Sequence, residues 1–192
     1  MMRNAMLAVV AVLLVFAVPA DCADRGFYIG AGVGLSSFDV ADFNEEYADL
    51  YFKTDNFGVK VFSGYQFLKY LAVEVGYTDF GQVTRRETNI YYEDQSLKVS
   101  INDWDVSAVG VVPLGAKAAF FGKIGLASWN TDVTVDDGHG AVAESSSGTD
   151  VVFGLGIDFR FKKFGLRIEG DHLNIPDTGG ANLFSGCLTY RF

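Results

Sequence analysis

The chain has 192 residues, with 15 Lys and Arg against 24 Asp and Glu, giving a formal net charge of −9 at pH 7. Nucleic acid is an unfavourable partner for such a chain, because phosphate binding requires clustered cations. The length suits one domain. Its 17 Phe, 9 Tyr and 22 Gly, alongside only 3 Pro, favour strands over long helices.

Residues 1–20 have the pattern of a secretory signal. Arg3 supplies a positive charge, a long apolar run follows it, and Ala20 is a small residue where signal peptidase cleaves. The run holds about 14 apolar residues, too few for a membrane anchor, which needs about 20. We therefore predict that residues 1–20 are a signal peptide, with cleavage after Ala20 or Ala23, and that residues 24–192 form the mature domain.

Downstream of the signal, short segments alternate apolar and polar residues, as strands do when their two faces meet different environments. The alternation predicts eight strands, at residues 26–36, 56–67, 70–80, 102–113, 118–130, 150–161, 164–172 and 182–192.

The connections between these strands alternate in length. Tight turns containing Lys69, Lys117 and Lys163 alternate with long polar stretches, at residues 37–55, 81–101, 131–149 and 173–181. Transmembrane barrels have short periplasmic turns and longer extracellular loops. The sequence therefore predicts an all-β fold, an eight-stranded antiparallel up-and-down transmembrane β-barrel.

One face of the predicted strands carries large aliphatic and aromatic residues, and the other carries small and charged residues. In a membrane barrel the charged face lines the lumen, whereas a soluble barrel such as a lipocalin has the reverse arrangement. The alternating loop lengths favour the membrane arrangement. The predicted lumen residues are Lys60, Glu74, Asp103, Asp105, Lys123, Asp158, Arg160, Arg167, Glu169 and Arg191.

For the fourth predicted strand, the sequence does not decide which face points toward lipid, because Val109 and Val111 suit either the lipid or the lumen side. Placing Trp104 toward lipid sends Asp103 and Asp105 into the lumen. The reverse would put two charges against lipid, which costs free energy near the midplane. The inward assignment of the two carboxylates is therefore preferred.

The predicted lumen set holds five cations and five anions. Eight strands leave an interior that side chains fill, and a narrow lumen penalises any unmatched charge. The set therefore predicts an ion-pair network. Two roles stay open for it: a fixed polar plug, and a gate whose pairs exchange partners and admit water or ions.

The last predicted strand ends on Phe192, and Leu188, Tyr190 and Phe192 share its apolar face. A strand of this kind resembles the closing strand of a bacterial outer-membrane barrel. In that family the terminal aromatic residue belongs to the signal read by the barrel-assembly machinery. The resemblance implies that role for these three residues.

The opening strand at 26–34, the tight lysine turns and the closing residues 188–192 are together similar to the small outer-membrane β-barrel family. That family includes the OmpA transmembrane domain, the OmpX/Ail-type proteins and the opacity proteins. The resemblance implies a monomer in the bacterial outer membrane, in contact with its lipids and lipopolysaccharide. It also implies roles in envelope integrity or adhesion, through loops that bind a host or surface ligand. The alternative is a narrow channel for ions or small hydrophobic solutes.

Two of the predicted loops are acidic. Residues 37–54 carry five acidic side chains against Lys53 alone, and residues 131–150 carry five with no Lys or Arg. Such loops suit surface binding, or divalent cations that bridge lipopolysaccharide phosphates. Asp136-Asp137-Gly138 lacks the ligand spacing of a calcium loop, so the sequence predicts neither a metal site nor a cofactor.

His172 and Cys187 are the remaining chemically reactive candidates. The lipid A deacylases and acyltransferases built on outer-membrane barrels use a His with a Ser and an acid, but no Ser stands at the position neighbouring His172. Cys187 falls on the polar face of the last strand and is interpreted as an unpaired lumen residue. The chain is predicted to be non-enzymatic, with no catalytic residues.

Overall fold

In a computed structural model, the chain forms a closed barrel of eight antiparallel strands, which confirms the predicted fold class. The structure describes residues 25–38, 56–89, 92–136, 141–176 and 179–192; the predicted signal peptide lies outside them. Within these ranges no helix is long and apolar enough to cross a membrane. The strands are β1 (Gly26–Phe38), β2 (Asn56–Leu68), β3 (Leu71–Asn89), β4 (Tyr92–Pro113), β5 (Ala118–Asp136), β6 (Ala141–Phe161), β7 (Phe164–Leu173) and β8 (Ala181–Arg191).

The barrel closes because its first and last strands pair. β1 pairs with β8 from Tyr28, opposite Arg191, to Phe38, opposite Ala181. All the other pairs join strands that are consecutive in the sequence. Closure gives each strand a hydrogen-bonded neighbour on both sides, which a lipid environment demands because it offers backbone groups no water.

The outer surface of the barrel is apolar. Large side chains such as Phe57 (65% exposed), Leu155 and Leu188 (71% exposed) point away from the barrel along their strands, while their sequence neighbours point inward. A surface with this many exposed aliphatic and aromatic residues requires hydrocarbon as its solvent. The soluble-barrel alternative is therefore wrong.

Two of the stretches predicted as long loops are largely strand, so that part of the prediction is wrong. β3 and β4 continue until only residues 90–91 separate them, and β5 and β6 continue to residues 137–140. Most residues in these extensions are polar, although Val99 and Ile101 are buried inside the barrel. Their β-branched residues, such as Val133 and Val135, still favour the extended backbone.

The extensions of β3, β4, β5 and β6 form one four-stranded sheet that continues past the barrel. β4 pairs with β5 as far as Ser96 opposite Asp136. In contrast, β2 pairs with β3 only as far as Asp79, and β7 pairs with β6 only from Val152. A membrane crossing takes about 10 residues, so strands of 19 to 22 residues continue for about 30 Å beyond it. We call this part the projecting sheet.

Candidate functional site

Four buried charged side chains meet at mid-height in the lumen. The Lys60 ammonium lies 2.9 Å from a Glu169 carboxylate oxygen and 2.5 Å from an Asp171 oxygen. The Lys123 ammonium lies 3.0 Å from Glu169 and 2.7 Å from Asp171. Each cation therefore bridges both carboxylates, and we call the four residues the lumen square. All four side chains are almost wholly buried, so each charge depends on its partners rather than on water.

Asp171 was absent from the residues predicted to line the lumen. It lies two residues after Glu169 on β7, and side chains two residues apart on a strand share a face. The alternation that identified Arg167 and Glu169 therefore also identifies Asp171. Among the described residues, the lumen therefore contains one more carboxylate than the sequence predicted.

A second cluster lies on the periplasmic side of the lumen square and is centred on Arg167. Its Nη1 donates to Glu74 Oε1 at 2.7 Å, and the Tyr28 hydroxyl donates to the same oxygen at 2.7 Å. The guanidinium carbon lies 4.3 Å from the ring centroid of Phe121, 4.6 Å from Phe62 and 5.6 Å from Tyr28. Glu169 Oε2 lies 3.9 Å from the same Nη1. Three aromatic rings and two carboxylates thus replace the hydration of this buried cation.

These aromatic rings fit because glycines lie opposite them on neighbouring strands. The Tyr28 ring covers Gly64, the Phe62 ring covers Gly30, and the Phe121 ring covers Gly156. A Cβ at Gly30 would approach the Phe62 ring atoms Cε1 and Cε2 to 2.7 and 2.8 Å, closer than van der Waals contact permits. The glycines therefore make the room that the rings around Arg167 occupy.

Gly30→Ala is expected to lower the free energy of unfolding by about 1–3 kcal/mol, because the new methyl group displaces the Phe62 ring from Arg167. The measurement is urea unfolding of the refolded barrel in lipid vesicles. Gly186→Ala is the matched control, since a Cβ there meets nothing within 4 Å. Equal stability of the two variants would contradict the packing described for Gly30.

At the periplasmic end of the lumen, Asp158 joins two arginines. Its Oδ2 lies 3.0 Å from Arg191 Nη2 and 3.2 Å from Arg160 Nε. Arg191 Nη1 also donates to Gln66 Oε1 at 3.1 Å. The three predicted lumen residues of this end are thus within one ion-paired group.

Asp103 and Asp105 point into the lumen but do not join these pairs. Both are buried, and Asp105 Oδ2 accepts a 2.6 Å hydrogen bond from Ser107. Asp103 Oδ1 has no hydrogen-bond partner among the described residues. Val109 and Val111, whose facing was left open, are also buried on the inner side.

Apolar layers close the lumen on both sides of the square. Toward the extracellular end, the inward side chains form a buried cluster of Phe80, Val99, Ile101, Ala127, Trp129, Val152, Leu173, Ile175, Ala181 and Leu183. Toward the periplasm lies a second cluster of Tyr28, Phe62, Ala72, Val109, Val111, Ala119, Phe121 and Cys187. The periplasmic cluster also encloses the Arg167–Glu74 pair. The lumen square therefore lies between an apolar layer on its extracellular side and a layer of aromatic and aliphatic side chains around one ion pair on its periplasmic side.

The model of the OmpA-like transmembrane domain matches residues 22–181 of this chain. The chain belongs to the OmpA-like transmembrane domain family. A search of curated proteins found no match. The family and the solved barrels described next assign this chain to the bacterial outer membrane.

Solved structures share the fold of this OmpA-like barrel at low sequence identity. Yersinia pestis Ail, in complex with the heparin analogue sucrose octasulfate, has a TM-score of 0.60 at 16% identity over 88% of this chain and 99% of Ail. Neisserial surface protein A has a TM-score of 0.57 at 14% identity over 87% of this chain and 97% of its own. The N-terminal barrel of Pseudomonas aeruginosa OprF has a TM-score of 0.54 at 12% identity, over 88% and 98%.

The last strand of the OmpA-like barrel presents Leu188, Tyr190 and Phe192 on its lipid side. The Tyr190 ring lies 5.2 Å from the Phe164 ring and 5.1 Å from the Phe192 ring. The Phe192 backbone N–H donates to the Phe27 carbonyl at 3.0 Å. These contacts join the last strand to β7 and β1, while the role of the three residues as an assembly signal stays a prediction.

His172 and Ser185 lie on opposite faces of the barrel wall. The His172 ring packs 4.8 Å from the Phe153 ring on the lipid side, and its Nδ1 lies 2.8 Å from Asn182 Oδ1. Ser185 is buried on the lumen side, where its hydroxyl contacts the free Cys187 thiol. A serine–histidine pair of the hydrolytic type is therefore not assembled from these two residues.

Proposed function

We propose that this OmpA-like barrel is a closed membrane anchor that presents a binding surface outside the cell, and that it contributes to envelope integrity in this way. The filled lumen is the observation that carries the proposal. The lumen square, the Arg167–Glu74 pair and the apolar clusters are all buried, so side chains fill the described interior. The projecting sheet and the loops then remain as the parts available to a partner.

The closed lumen does not favour the channel alternative. An ion passing the lumen square would have to separate Lys60 or Lys123 from carboxylates that lie 2.5–3.0 Å away. It would then have to pass Trp129 and Leu173 in the upper apolar layer. Separating buried ion pairs without replacing their hydrogen bonds costs about 3–5 kcal/mol for each charge left unpaired.

The projecting sheet supplies a surface with a defined charge and shape. Asp132 and Glu144 are exposed on the β5–β6 hairpin, and the Ser145 hydroxyl donates to Asp132 Oδ1 at 2.6 Å. Beyond the barrel, the outer edges of β3 and β6 have no strand beside them among the described residues. Exposed edges of this kind accept an added strand from a partner.

The acidic charge of this surface favours a basic partner. Ail is known in complex with a heparin analogue, and such a ligand is strongly anionic. In the present chain residues 131–150 contain five acidic side chains and no Lys or Arg, so a polyanion would be repelled there. We therefore propose a basic patch on a host or neighbouring-cell protein as the ligand.

Charge selectivity of binding is the test of this proposal. The barrel is reconstituted in neutral nanodiscs and immobilised, and poly-lysine and heparin are passed over it. We expect poly-lysine to bind in a salt-sensitive manner and heparin to show no binding. Asp132→Asn combined with Glu144→Gln should weaken poly-lysine binding about fivefold, since each exposed charge contributes only modestly to the binding free energy.

Lys98→Gln is the control for these substitutions, because Lys98 is an exposed cation on β4. Its removal should leave poly-lysine binding unchanged or slightly stronger. Heparin binding tighter than poly-lysine binding would contradict the proposed charge preference. Equal binding by the double variant and the unsubstituted barrel would show that the β5–β6 hairpin is not the binding element.

A further inference from the structure

The periplasmic end of the barrel concentrates positive charge. Asp and Glu are absent from the three short turns, at residues 69–70, 114–117 and 162–163, and from residues beside them. Asp158 lies nearby on β6, but it already pairs with two arginines. The cations of this end are Arg25, Lys69, Lys117, Arg160, Lys162, Lys163 and Arg191. A chain with a net charge of −9 therefore has one strongly basic rim.

A cavity of about 260 Å³ opens within this rim. Lys69 and Arg160 are its charged lining residues, and the rest of its wall is formed by Pro113, Gly115, Ala116 and Ala118. Gly115 has a φ of 107°, and a Cβ built there would meet nothing within 4 Å. The cavity thus combines two cations with small, open walls.

The two cations retain unused hydrogen-bond donors. Arg160 bonds to Asp158 through Nε at 3.2 Å, and its two Nη atoms make no hydrogen bond among the described residues. The Lys69 ammonium lies 5.3 Å from the Tyr70 ring centroid and has no ion-pair partner in the described part of the chain. A guanidinium fork and an ammonium together form a suitable binding site for a phosphate group.

We propose that this cavity binds the phosphate of an anionic phospholipid in the inner leaflet of the outer membrane. The apolar residues beside the cavity favour a lipid over a free anion. Leu114 adjoins Pro113 of the lining and is 57% exposed, and Tyr70 adjoins Lys69 and is 58% exposed. Acyl chains would pass these side chains while the headgroup reaches the cations, as expected for aromatic and basic residues at a membrane interface.

Lipid selectivity of the purified barrel tests this site. Native mass spectrometry of the refolded protein in a zwitterionic detergent compares dioleoylphosphatidylglycerol with dioleoylphosphatidylcholine. Two cations near a headgroup are expected to favour the anionic lipid about thirtyfold. Lys69→Gln combined with Arg160→Gln should remove this preference, and Lys69→Gln alone should reduce it about fivefold. Lys69→Gln alone leaves the ion pairs of Asp158 intact, so this variant is expected to fold normally.

Lys98→Gln serves as the control, since it removes an exposed cation from the opposite end of the barrel. It should keep the full preference for phosphatidylglycerol. Equal binding of the two lipids, or an unchanged preference in both Lys69 variants, would overturn the proposal. Displacement of phosphatidylglycerol by inorganic phosphate at millimolar concentration would also overturn it, because the cavity would then be a site for a free anion.

Discussion

Glu169→Gln is expected to lower the free energy of unfolding of the refolded barrel by about 3–5 kcal/mol, the cost of removing one member of a buried ion-pair group. The Glu169 side chain is wholly buried and lies within 3.0 Å of both Lys60 and Lys123. Without its charge, Lys60 and Lys123 would share Asp171 as their one directly ion-paired carboxylate among the described residues. Water cannot replace the lost negative charge, because all four side chains of the square are buried inside the filled lumen.

Urea unfolding in lipid vesicles measures this effect. Trp104 faces lipid, so its fluorescence reports the loss of the membrane-inserted barrel, and the heat-dependent gel shift reports folding separately. Asp132→Asn is the control, because Asp132 is exposed on the projecting sheet and exposed carboxylates contribute little. A Glu169→Gln variant as stable as this control would show that the lumen square does not stabilise the barrel.

Arg167→Met is expected to have a comparable effect, about 3–5 kcal/mol, because it leaves the buried Glu74 carboxylate without its cation. The variant also removes the guanidinium from between the Phe62 and Phe121 rings. Arg167→Lys keeps the charge but loses the planar group that lies over these rings, so its loss should be smaller, about 1–2 kcal/mol.

A double-mutant cycle separates the ion pair from the packing. Glu74→Gln combined with Arg167→Met removes both charges, and the double variant should be more stable than Arg167→Met alone. The free energies come from the same urea unfolding experiment. Additive losses in the double variant would contradict a direct interaction between Arg167 and Glu74, which the structure places 2.7 Å apart.

The sequence could predict which side chains point into the lumen, because successive side chains along a strand alternate between its two faces. Alternation along β2 and β7 assigned Lys60 and Glu169 to the lumen without any knowledge of the pairing. It did not show which charges meet, because partners on different strands depend on register and on the tilt of the barrel. Lys60 and Asp171 are 111 residues apart in the chain, and nothing local in the sequence connects them.

The projecting sheet and the upper apolar layer were harder to infer. Residues 131–149 are mostly polar, and the alternation that places Val133 and Val135 on one face is too short to identify a strand, so composition favoured a loop. Strands exposed to water on both faces lack the alternation that identifies membrane strands. Trp129 lies near the end of the predicted strand 118–130, and Leu173 lies just beyond the predicted strand 164–172, so the sequence alone did not place either residue inside the lumen, where the closed barrel buries both.

The conductance of the refolded protein in a planar bilayer tests the central claim most directly, with folding verified by the heat-dependent gel shift. A lumen closed by the square and its apolar layers predicts a folded protein that conducts no ions above the bilayer background. Discrete and reproducible openings from the folded protein would contradict the closed lumen, and they would make the pairs of Lys60 and Lys123 the parts of a gate.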